Sequence, residues 1–543
     1  MKVVIIGGVA GGATTATRLR RLDEDAEIIL FERGEHISFA NCGLPYYIGD
    51  VIKSEEDLLV QTPEKFKERF NIDVRIKQEA IKIDKENKQV EIRKNDTGET
   101  YFETYDKLVL SPGAEPINPF KDVKSDRIFT IRNVNDAEKV KAFIKSNNPK
   151  SAVIVGGGYI GVEMAENLSE YNMEVSIVEK SPHLISIIDN DIAHFVHKEV
   201  KKHGVKLYLN QGVNDISEHE KLLLTLDNEK IETDLAILCI GVKPESNLAK
   251  EAGLSLNEKG AIIVNSKMQT SDENIYALGD AVEVQNIITG ARSGIALAGP
   301  ANRQARIVAN NIEGITSTYD GFIGSSILKI FNYSLGIVGL SEKVCKTLDI
   351  PYKIMIISPY SHATYYPGAK MITIKAIYNC QTSQILGAYV WGKASVDKIT
   401  DILSVAIQTK MKAADLSALE LCYAPPFSSA KSPVNILGNA IENEMNDLVD
   451  TISVEELKNK ENPYILDVRT VEEYNLSHID GAINIPLDEL RENLEKLEKS
   501  KEIIVHCHSG LRSYLACRIL QQKGYNVKNL IGGYIMYDVM KNN

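Results

Sequence analysis

Residues 151–161 read SAVIVGGGYIG, and the fold is built around this stretch. An apolar run ends in Gly156, Gly158 and Gly161, the glycines of a G-x-G-x-x-G pattern, and Glu179 closes the next apolar run, VSIVE. In a strand–turn–helix unit these glycines let the backbone approach a pyrophosphate, and the carboxylate accepts a hydrogen bond from a ribose hydroxyl. The stretch therefore predicts a Rossmann-like unit that binds a dinucleotide.

The amino terminus repeats this arrangement. The run VVII leads into the turn GGVAGG, and a second acidic residue ends the following run, IILFE, 20 residues after the turn. Val9 stands where the pattern has its middle glycine, so this motif is weaker than the other one. We predict a second dinucleotide site, formed by Gly7, Gly8, Gly11, Gly12 and Glu32.

Composition limits the class of protein. The chain has 543 residues and a formal net charge of −12, which argues against a nucleic-acid surface, because binding phosphates needs clustered Lys and Arg. No apolar run approaches the roughly 18 to 20 residues of a membrane span. The seven cysteines show no CxxC and no metal-ligand spacing, so no metal site is expected. We expect a cytoplasmic protein with no nucleic-acid or membrane partner.

The order of segments predicts an α/β protein of several domains. Polar and apolar residues alternate in the charged segment Ile81–Thr104, which indicates an antiparallel excursion from the first domain. Two later segments, Leu235–Ile240 and Ile275–Leu278, are expected to return to the first sheet as buried strands. The expected divisions are 1–117 with 235–321 (first dinucleotide domain), 118–234 (second dinucleotide domain), 322–438 (an α+β domain), 439–450 (a polar linker) and 451–543 (a C-terminal α/β domain).

Two cysteines have distinctive surroundings. Cys42 lies in SFANCGLPY, where the residue five positions on is Tyr47, so a C-x4-C redox disulfide is excluded. A helix starting here is expected to lower the pKa of the Cys42 thiol. Cys507 follows the apolar run IIVH and opens a loop in which backbone N–H groups can converge on sulfur.

The C-terminal segments YILDVRTVEEYNLSHIDGAINIP and IIVHCHSGLRS resemble a rhodanese. From Cys507 to Arg512 the loop is C-x4-R, whereas the related phosphatases need the wider C-x5-R loop. The resemblance implies that these two residues take part in sulfur transfer, and that Asp467 and Arg469 brace the fold.

The two dinucleotide turns, with LVLSPGA, AILCIGVKPE and TSDENIYALGD, resemble the two-dinucleotide-binding flavoprotein disulfide reductases. The resemblance implies two Rossmann-like domains, an α+β dimerisation domain and a homodimer. FAD is expected in the first site, with contacts from Gly113, Gly279 and Asp280. NAD(P)H is expected in the second, where Glu179 favours NADH, although the adjacent Lys180 leaves NADPH open.

The SFxNCG pattern resembles the single-cysteine branch, which contains coenzyme A disulfide reductases and the NADH oxidases and peroxidases that use a sulfenic acid. The latter place a histidine where this chain has Ala10, so a disulfide or persulfide substrate is favoured over peroxide. Tyr365 and Tyr423 match two tyrosines that coenzyme A disulfide reductases contribute across the dimer. Tyr366 is the competing assignment for the first of them.

The same resemblance implies a coenzyme A site. Arg18 and Arg21 lie three residues apart on one face of the first helix, where they can pair with phosphates. Without the resemblance, the same spacing also fits a helix face that is exposed to solvent. The expected substrates are coenzyme A disulfide or persulfide, or polysulfide. The alternatives are an NADH oxidase or peroxidase and a sulfur-carrier or redox-sensing protein. The residues that match coenzyme A positions are Thr14, Arg18, Arg21, Ser38, Asn41, Asn302 and Lys431.

Overall fold

The computed structural model describes residues 1–541. They form two compact units, Met1–Pro182 with Gly204–Phe322, and His183–His203 with the chain from Ile323 onward. Each unit contains sheets and helices, as predicted for an α/β chain. Within residues 1–541, no helix is both long and apolar enough to cross a membrane.

A five-stranded parallel sheet forms the centre of the first unit, with Lys2–Ile6 as its middle strand. Every apolar side chain of that strand is buried, as is usual when helices cover a parallel sheet. The helices Ala10–Arg20 and Ala298–Ile312 pack against each other beside it. In spatial order the strands are Ile275–Ala277, Lys107–Leu110, Lys2–Ile6, Glu27–Glu32 and Asp73–Ile76.

The predicted antiparallel excursion is confirmed, because Gln78–Asp84, Gln89–Lys94 and Thr100–Thr104 pair in antiparallel register. Smaller elements complete this domain. Its short strands are Ala114–Pro116, Val242–Pro244, Ile262–Ile263, Val282–Gln285 and Arg292–Ser293, its other helices are Leu44–Ile48, Pro63–Phe70 and Asn247–Glu251, and its 3-10 turns are Asn41–Gly43, Glu55–Leu58 and Gly279–Ala281.

The second parallel sheet is centred on Ser151–Val155. Leu235–Leu238 pairs with this strand, so our expectation that Leu235–Ile240 returns to the first sheet is wrong. The strand is apolar along its whole length and is buried in the core of the second domain. The strands in order are Lys206–Leu209, Glu174–Glu179, Ser151–Val155, Leu235–Leu238 and Ile128–Phe129; the helices are Val134–Asn147 and Tyr159–Ser169, and an antiparallel sheet contains Val213–Glu218, Leu222–Leu226 and Lys230–Thr233.

The second unit begins with the helix Asn190–Lys202 and contains a five-stranded antiparallel sheet. A fully buried lysine, Lys375, lies in one of its strands and forms ion pairs with Asp189, Asp191 and Glu342 at 2.6 to 3.0 Å. The lysine therefore compensates three carboxylates that would otherwise repel one another. The strands in order are Ser326–Ile330, Tyr333–Gly339, Ile385–Gly392, Ile372–Asn379 and Tyr352–Ile357, and the helices are Glu342–Thr347, Val396–Gln408, Ala413–Ala418 and Pro433–Met445.

The segment 439–450 is mostly helical, which corrects the expected linker. Pro433–Met445 continues through it, because Ser432 caps the helix and Leu437 and Ile441 are buried on its inner face. The polar residues that suggested a linker include Glu444, which is itself buried.

The C-terminal domain is a parallel sheet with helices, as predicted, and Ile503–His506 is its central strand. The strands in order are Asp450–Ile452, Val527–Leu530, Ile503–His506, Tyr464–Asp467 and Ile483–Asn484; the helices are Val454–Lys458, Val471–Leu476, Leu511–Gln522 and Gly533–Met540, with 3-10 turns at Leu487–Glu492 and Leu494–Lys496.

Candidate active sites

The first glycine turn joins the strand Lys2–Ile6 to the helix Ala10–Arg20. Gly7 has a φ of +95°, and a Cβ there would lie 2.1 Å from the carbonyl oxygen of Ser111. A Cβ at Gly12 would lie 1.8 Å from the carbonyl oxygen of Gly7. Only glycine therefore lets the strand, turn and helix pack this closely.

A cavity of about 440 Å³ opens at this turn. Val9 caps the helix with an apolar side chain, so the first N–H groups are left to bind an anion such as a pyrophosphate. The Glu32 carboxylate accepts hydrogen bonds of 2.9 Å and 2.8 Å from the N–H groups of Gly8 and Gly34, which hold it at the cavity wall. These residues fit FAD. The predicted residues that line the cavity are Gly7, Gly11, Glu32, Gly113, Gly279 and Asp280.

The second glycine turn uses the same construction. Gly156 has a φ of +103°, and a Cβ at Gly161 would lie 2.0 Å from its carbonyl oxygen. Gly158 caps the helix Tyr159–Ser169 and faces open space, which leaves room for a pyrophosphate. The Glu179 carboxylate accepts 2.7 Å hydrogen bonds from two backbone N–H groups, as Glu32 does. The second turn therefore fits NAD(P)H.

Cys42 lies in the 3-10 turn Asn41–Gly43, directly before the helix Leu44–Ile48. It is an exposed free thiol. Our expectation of a lowered thiol pKa is wrong, because the surrounding protein raises the pKa of Cys42 and the charges of Glu163 and Asp280 raise it further. The following helix has only five residues, so its macrodipole is short.

Glu163 is a residue of this site that the sequence analysis missed. It lies on the helix Tyr159–Ser169, and its carboxylate accepts a 3.1 Å hydrogen bond from the hydroxyl of Tyr46. Burial raises the pKa of the Glu163 carboxyl, and the bond from Tyr46 partly offsets this. A carboxyl with a raised pKa is a stronger base than an exposed glutamate, and this suits it to accept a proton during thiol chemistry at Cys42.

We expect Glu163→Gln to increase alkylation of Cys42 by iodoacetamide. Removing a negative charge lowers the pKa of the thiol, so more thiolate is present below that pKa, and we expect a rate increase of about 3-fold at about pH 8. The rate is read from the mass of the Cys42 peptide. Glu170→Gln removes the same charge from an exposed position at the end of the same helix. Equal rates in the two variants would contradict the assigned effect of Glu163.

Two of the predicted coenzyme A residues touch each other. The hydroxyl of Thr14 donates a 2.6 Å hydrogen bond to Asn302, which joins the helices Ala10–Arg20 and Ala298–Ile312. Arg18 donates two hydrogen bonds, of 3.2 Å and 3.0 Å, to the side-chain oxygen of Asn310.

The charged part of this surface includes one further residue. Protein atoms around Arg18, together with the charges of Arg306 and Arg21, lower the pKa of its guanidinium. Arg306 is a cation that the sequence analysis missed, because it lies far along the chain. Of the remaining predicted residues, Ser38 lies in the loop before Cys42, Asn41 begins the 3-10 turn that contains Cys42, and Lys431 is exposed in the second unit.

Tyr365 and Tyr423 form a pair in the second unit. Their hydroxyl oxygens lie 2.6 Å apart and both side chains are exposed. The hydrogen bond raises the pKa of Tyr365. The ring of Tyr366 instead forms a T-shaped pair with the ring of His362, with centroids 5.9 Å apart. The geometry therefore supports Tyr365 over Tyr366 as the partner of Tyr423.

Cys507 lies at the start of a loop between the strand Ile503–His506 and the helix Leu511–Gln522. Its side chain is buried, and its sulfur accepts hydrogen bonds from the Gly510 N–H at 3.1 Å and the Ser513 hydroxyl at 3.5 Å. Donors that converge on sulfur stabilise a thiolate or a persulfide.

Arg512 is held by a carboxylate on another helix. Its two terminal nitrogens donate hydrogen bonds of 2.6 Å and 2.7 Å to the two carboxylate oxygens of Glu473. These bonds raise the pKa of Arg512, and the charge of Cys507 raises it further. Behind the loop, Asp467 and Arg469 form a buried ion pair at 2.6 Å, as expected for a bracing pair.

Two glycine turns that fit FAD and NAD(P)H, an exposed single cysteine beside the first, and a sulfur-binding loop in the last domain define a redox flavoprotein that handles sulfur. The chain belongs to the pyridine nucleotide-disulphide oxidoreductase family, whose model matches residues 1–305. The dimerisation domain of that family matches residues 325–433, and the rhodanese-like domain matches residues 451–537. The predicted fold class and both predicted resemblances are confirmed.

Similar proteins cover nearly the whole chain. The coenzyme A disulfide reductase of Staphylococcus aureus is 36% identical over 439 residues, which are 80% of this chain and 99% of that protein. The reduced CoADR-RHD of Bacillus anthracis is 47% identical, with a TM-score of 0.96 over 99% of this chain and 98% of that chain. An NAD-dependent persulfide reductase from A. fulgidus is 35% identical, with a TM-score of 0.94 over 99% of this chain and 100% of that chain.

Proposed function

We propose that this protein uses NAD(P)H to reduce coenzyme A persulfide and coenzyme A disulfide through Cys42, and that Cys507 supplies sulfane sulfur. The observation that supports this best is the presence of two different thiols in one chain. Cys42 is exposed beside the cavity that fits FAD, whereas Cys507 is buried among donors that stabilise sulfur. The named activities of the similar proteins are consistent with this pairing.

The thiolate of Cys42 attacks the sulfur of coenzyme A persulfide that is bonded to carbon. A mixed disulfide between Cys42 and coenzyme A forms, and hydrosulfide leaves. FAD, which the first glycine turn and Glu32 would hold, would supply the electron pair from NAD(P)H that returns the mixed disulfide to two thiols. The net reaction consumes one persulfide, one NADH and one proton, and yields coenzyme A, hydrogen sulfide and NAD⁺. We propose that the carboxylate of Glu163, whose charge raises the pKa of Cys42, accepts the thiol proton when Cys42 ionises.

Coenzyme A carries phosphates, and the surface of the first helix carries arginines. Arg18, Arg21 and Arg306 place three positive charges close together on a chain whose net charge is −12. Arginine binds phosphate through paired N–H groups. We propose that this surface, with Thr14 and Asn302, binds the nucleotide end of coenzyme A, and that Ser38, Asn41 and Lys431 contribute further contacts.

We propose a homodimer, because residues 325–433 match a dimerisation domain. In this proposal the Tyr365–Tyr423 pair of one subunit serves Cys42 of the partner subunit. A phenol can donate a proton to a departing thiolate, and the neighbouring phenol stabilises the phenolate that remains.

A panel of acceptors tests the proposal. NADH oxidation and sulfide release are measured with coenzyme A persulfide, coenzyme A disulfide, pantetheine persulfide, polysulfide and hydrogen peroxide. We expect one sulfide per NADH with coenzyme A persulfide, and a kcat/KM at least about 10-fold above that for pantetheine persulfide, which lacks the nucleotide phosphates.

Two outcomes of this panel contradict the proposal. Faster NADH consumption with peroxide than with coenzyme A persulfide identifies an oxidase or peroxidase that uses a Cys42 sulfenic acid. A Cys507 persulfide formed once per chain, without steady NADH oxidation, identifies a sulfur carrier or redox sensor.

A further inference from the structure

The Glu473–Arg512 ion pair controls how much positive charge the Cys507 loop offers to a sulfur donor. Both terminal nitrogens of the Arg512 guanidinium donate to the two oxygens of Glu473, at 2.6 Å and 2.7 Å. This bidentate arrangement occupies the face of the guanidinium that would otherwise bind two oxygens of a sulfonate or phosphate. The guanidinium is therefore engaged before any donor arrives.

Glu473 is charged under all working conditions. Its hydrogen bonds from Arg512 lower the pKa of the carboxyl to about 2. Both side chains of the pair are about one-third exposed, so a donor that enters from solvent meets the carboxylate as well as the guanidinium. The pair has no net charge, and the Cys507 thiolate adds one negative charge to the loop.

The other titratable groups around the loop do not restore a positive charge. Burial lowers the pKa of His508, which favours its neutral form. Burial lowers the pKa of His506 to about 4, so this residue is neutral as well. Arg469 is the other nearby cation, and its charge is compensated by the buried Asp467 at 2.6 Å.

We propose that Glu473 determines donor specificity in the Cys507 loop by neutralising Arg512. The loop then discriminates against dianionic oxyanion donors such as thiosulfate, whose sulfonate oxygens would otherwise pair with the Arg512 guanidinium. The inference rests on the proposed sulfur-transfer role of Cys507 and assigns the donor class to it. Polysulfide, the donor proposed for Cys507, carries no oxygen atoms that need the guanidinium.

Two donors of the same chemistry and different charge test this role. With thiosulfate, the Cys507 thiolate attacks the outer sulfur, the S–S bond breaks, and sulfite leaves with the bonding pair. With methanethiosulfonate, the same attack releases methanesulfinate. Cyanide then takes the outer sulfur from the Cys507 persulfide, so thiocyanate forms and the thiolate returns. The donors differ by one negative charge, and thiocyanate formation needs no NADH.

Glu473→Gln is the test variant. Glu473 is also the third residue of a capping box, in which it exchanges hydrogen bonds of 3.1 Å and 3.3 Å with Thr470. Glutamine can make the same capping-box hydrogen bonds as glutamate, so the helix Val471–Leu476 should still begin at the same residue. We expect kcat/KM to rise about 10-fold for thiosulfate and about 3-fold for methanethiosulfonate, because the Coulomb energy scales with the charge of the donor.

Matched variants separate this effect from a general one. Glu472→Gln removes the same charge from the neighbouring exposed residue. We expect the ratio of kcat/KM for thiosulfate to kcat/KM for methanethiosulfonate to stay within about 2-fold of wild type. Glu473→Asp keeps the negative charge, so this variant should prefer methanethiosulfonate over thiosulfate as the wild type does. A purely structural role of Glu473 would change both donors equally, so the donor ratio is the deciding measurement.

The results distinguish two failures. In the first, both Glu473→Gln and Glu472→Gln form thiocyanate, and the ratio of kcat/KM for thiosulfate to kcat/KM for methanethiosulfonate is the same in the two variants. This result overturns the role of Glu473 and leaves sulfur transfer by Cys507 intact. Thiocyanate formation that is absent with both donors in every variant overturns sulfur transfer itself, and the specificity proposal with it.

Discussion

Cys42→Ser is expected to reduce NADH-linked reduction of every disulfide and persulfide by at least about 10³-fold. Serine has nearly the same size but is not a nucleophile at neutral pH, so the mixed disulfide with coenzyme A cannot form. The glycine turn and Glu32 remain intact, because Cys42 lies in a separate exposed turn. The variant should therefore keep a yellow, oxidised-flavin spectrum and some electron transfer to artificial acceptors.

Cys380→Ser is the control for this experiment. Cys380 is a half-buried free thiol in the turn after the strand Ile372–Asn379, in the other unit of the chain. It should retain the activity of the wild type within about 2-fold. Turnover of coenzyme A persulfide by Cys42→Ser at the rate of the control would overturn the single-cysteine mechanism. Loss of flavin from the variant would mean that Cys42 also supports cofactor binding.

Local rules predicted the nucleotide sites well, because both sites are built almost entirely from short stretches of sequence. In each, a strand, a glycine-rich turn and a carboxylate at the end of the next strand are enough to specify the geometry. The hydrogen bonds from the Gly8 and Gly157 N–H groups to Glu32 and Glu179 show the same construction twice. Val9 stands in place of a glycine at the N-cap position of the helix, where its side chain makes no capping hydrogen bond.

Long-range packing decided the features that the sequence analysis missed. Leu235–Leu238 is apolar enough for either sheet, and only its pairing with Ser151–Val155 assigns it to the second. Glu444 suggested a linker, but Lys353 and Tyr378 from other elements satisfy its carboxylate with hydrogen bonds of 3.0 Å and 2.5 Å. A polar residue in an amphipathic pattern cannot be read as exposed when its partners are distant in sequence.

The pKa of Cys42 was predicted wrongly for the same reason. The helix rule leaves out the burial of the thiol group, which is the largest cause of the raised pKa, and the charges of Glu163 and Asp280, which approach from far along the chain. The one local signal for Glu163 was an acidic residue between Val162 and Met164, which are both buried. Such a residue needs a polar partner inside the protein, and Tyr46 provides it.

Cys507→Ser is expected to separate the two halves of the proposed reaction. Serine cannot carry sulfane sulfur, so reduction of polysulfide should fall at least about 10-fold. Reduction of coenzyme A persulfide should stay within about 2-fold of wild type, because that substrate reaches Cys42 directly. The measurement is sulfide released per NADH oxidised with each substrate. Cys380→Ser again provides the control for a cysteine outside both sites.

The pattern of losses decides what the C-terminal domain does. Equal loss with both substrates would place Cys507 on the obligatory path of electrons to coenzyme A persulfide, contrary to the proposal. Unchanged rates with both would mean that the domain does not supply sulfur to Cys42. A selective loss with polysulfide requires sulfur to pass from the Cys507 persulfide to coenzyme A. Tethering both reactions in one chain then raises the local concentration of the shared carrier.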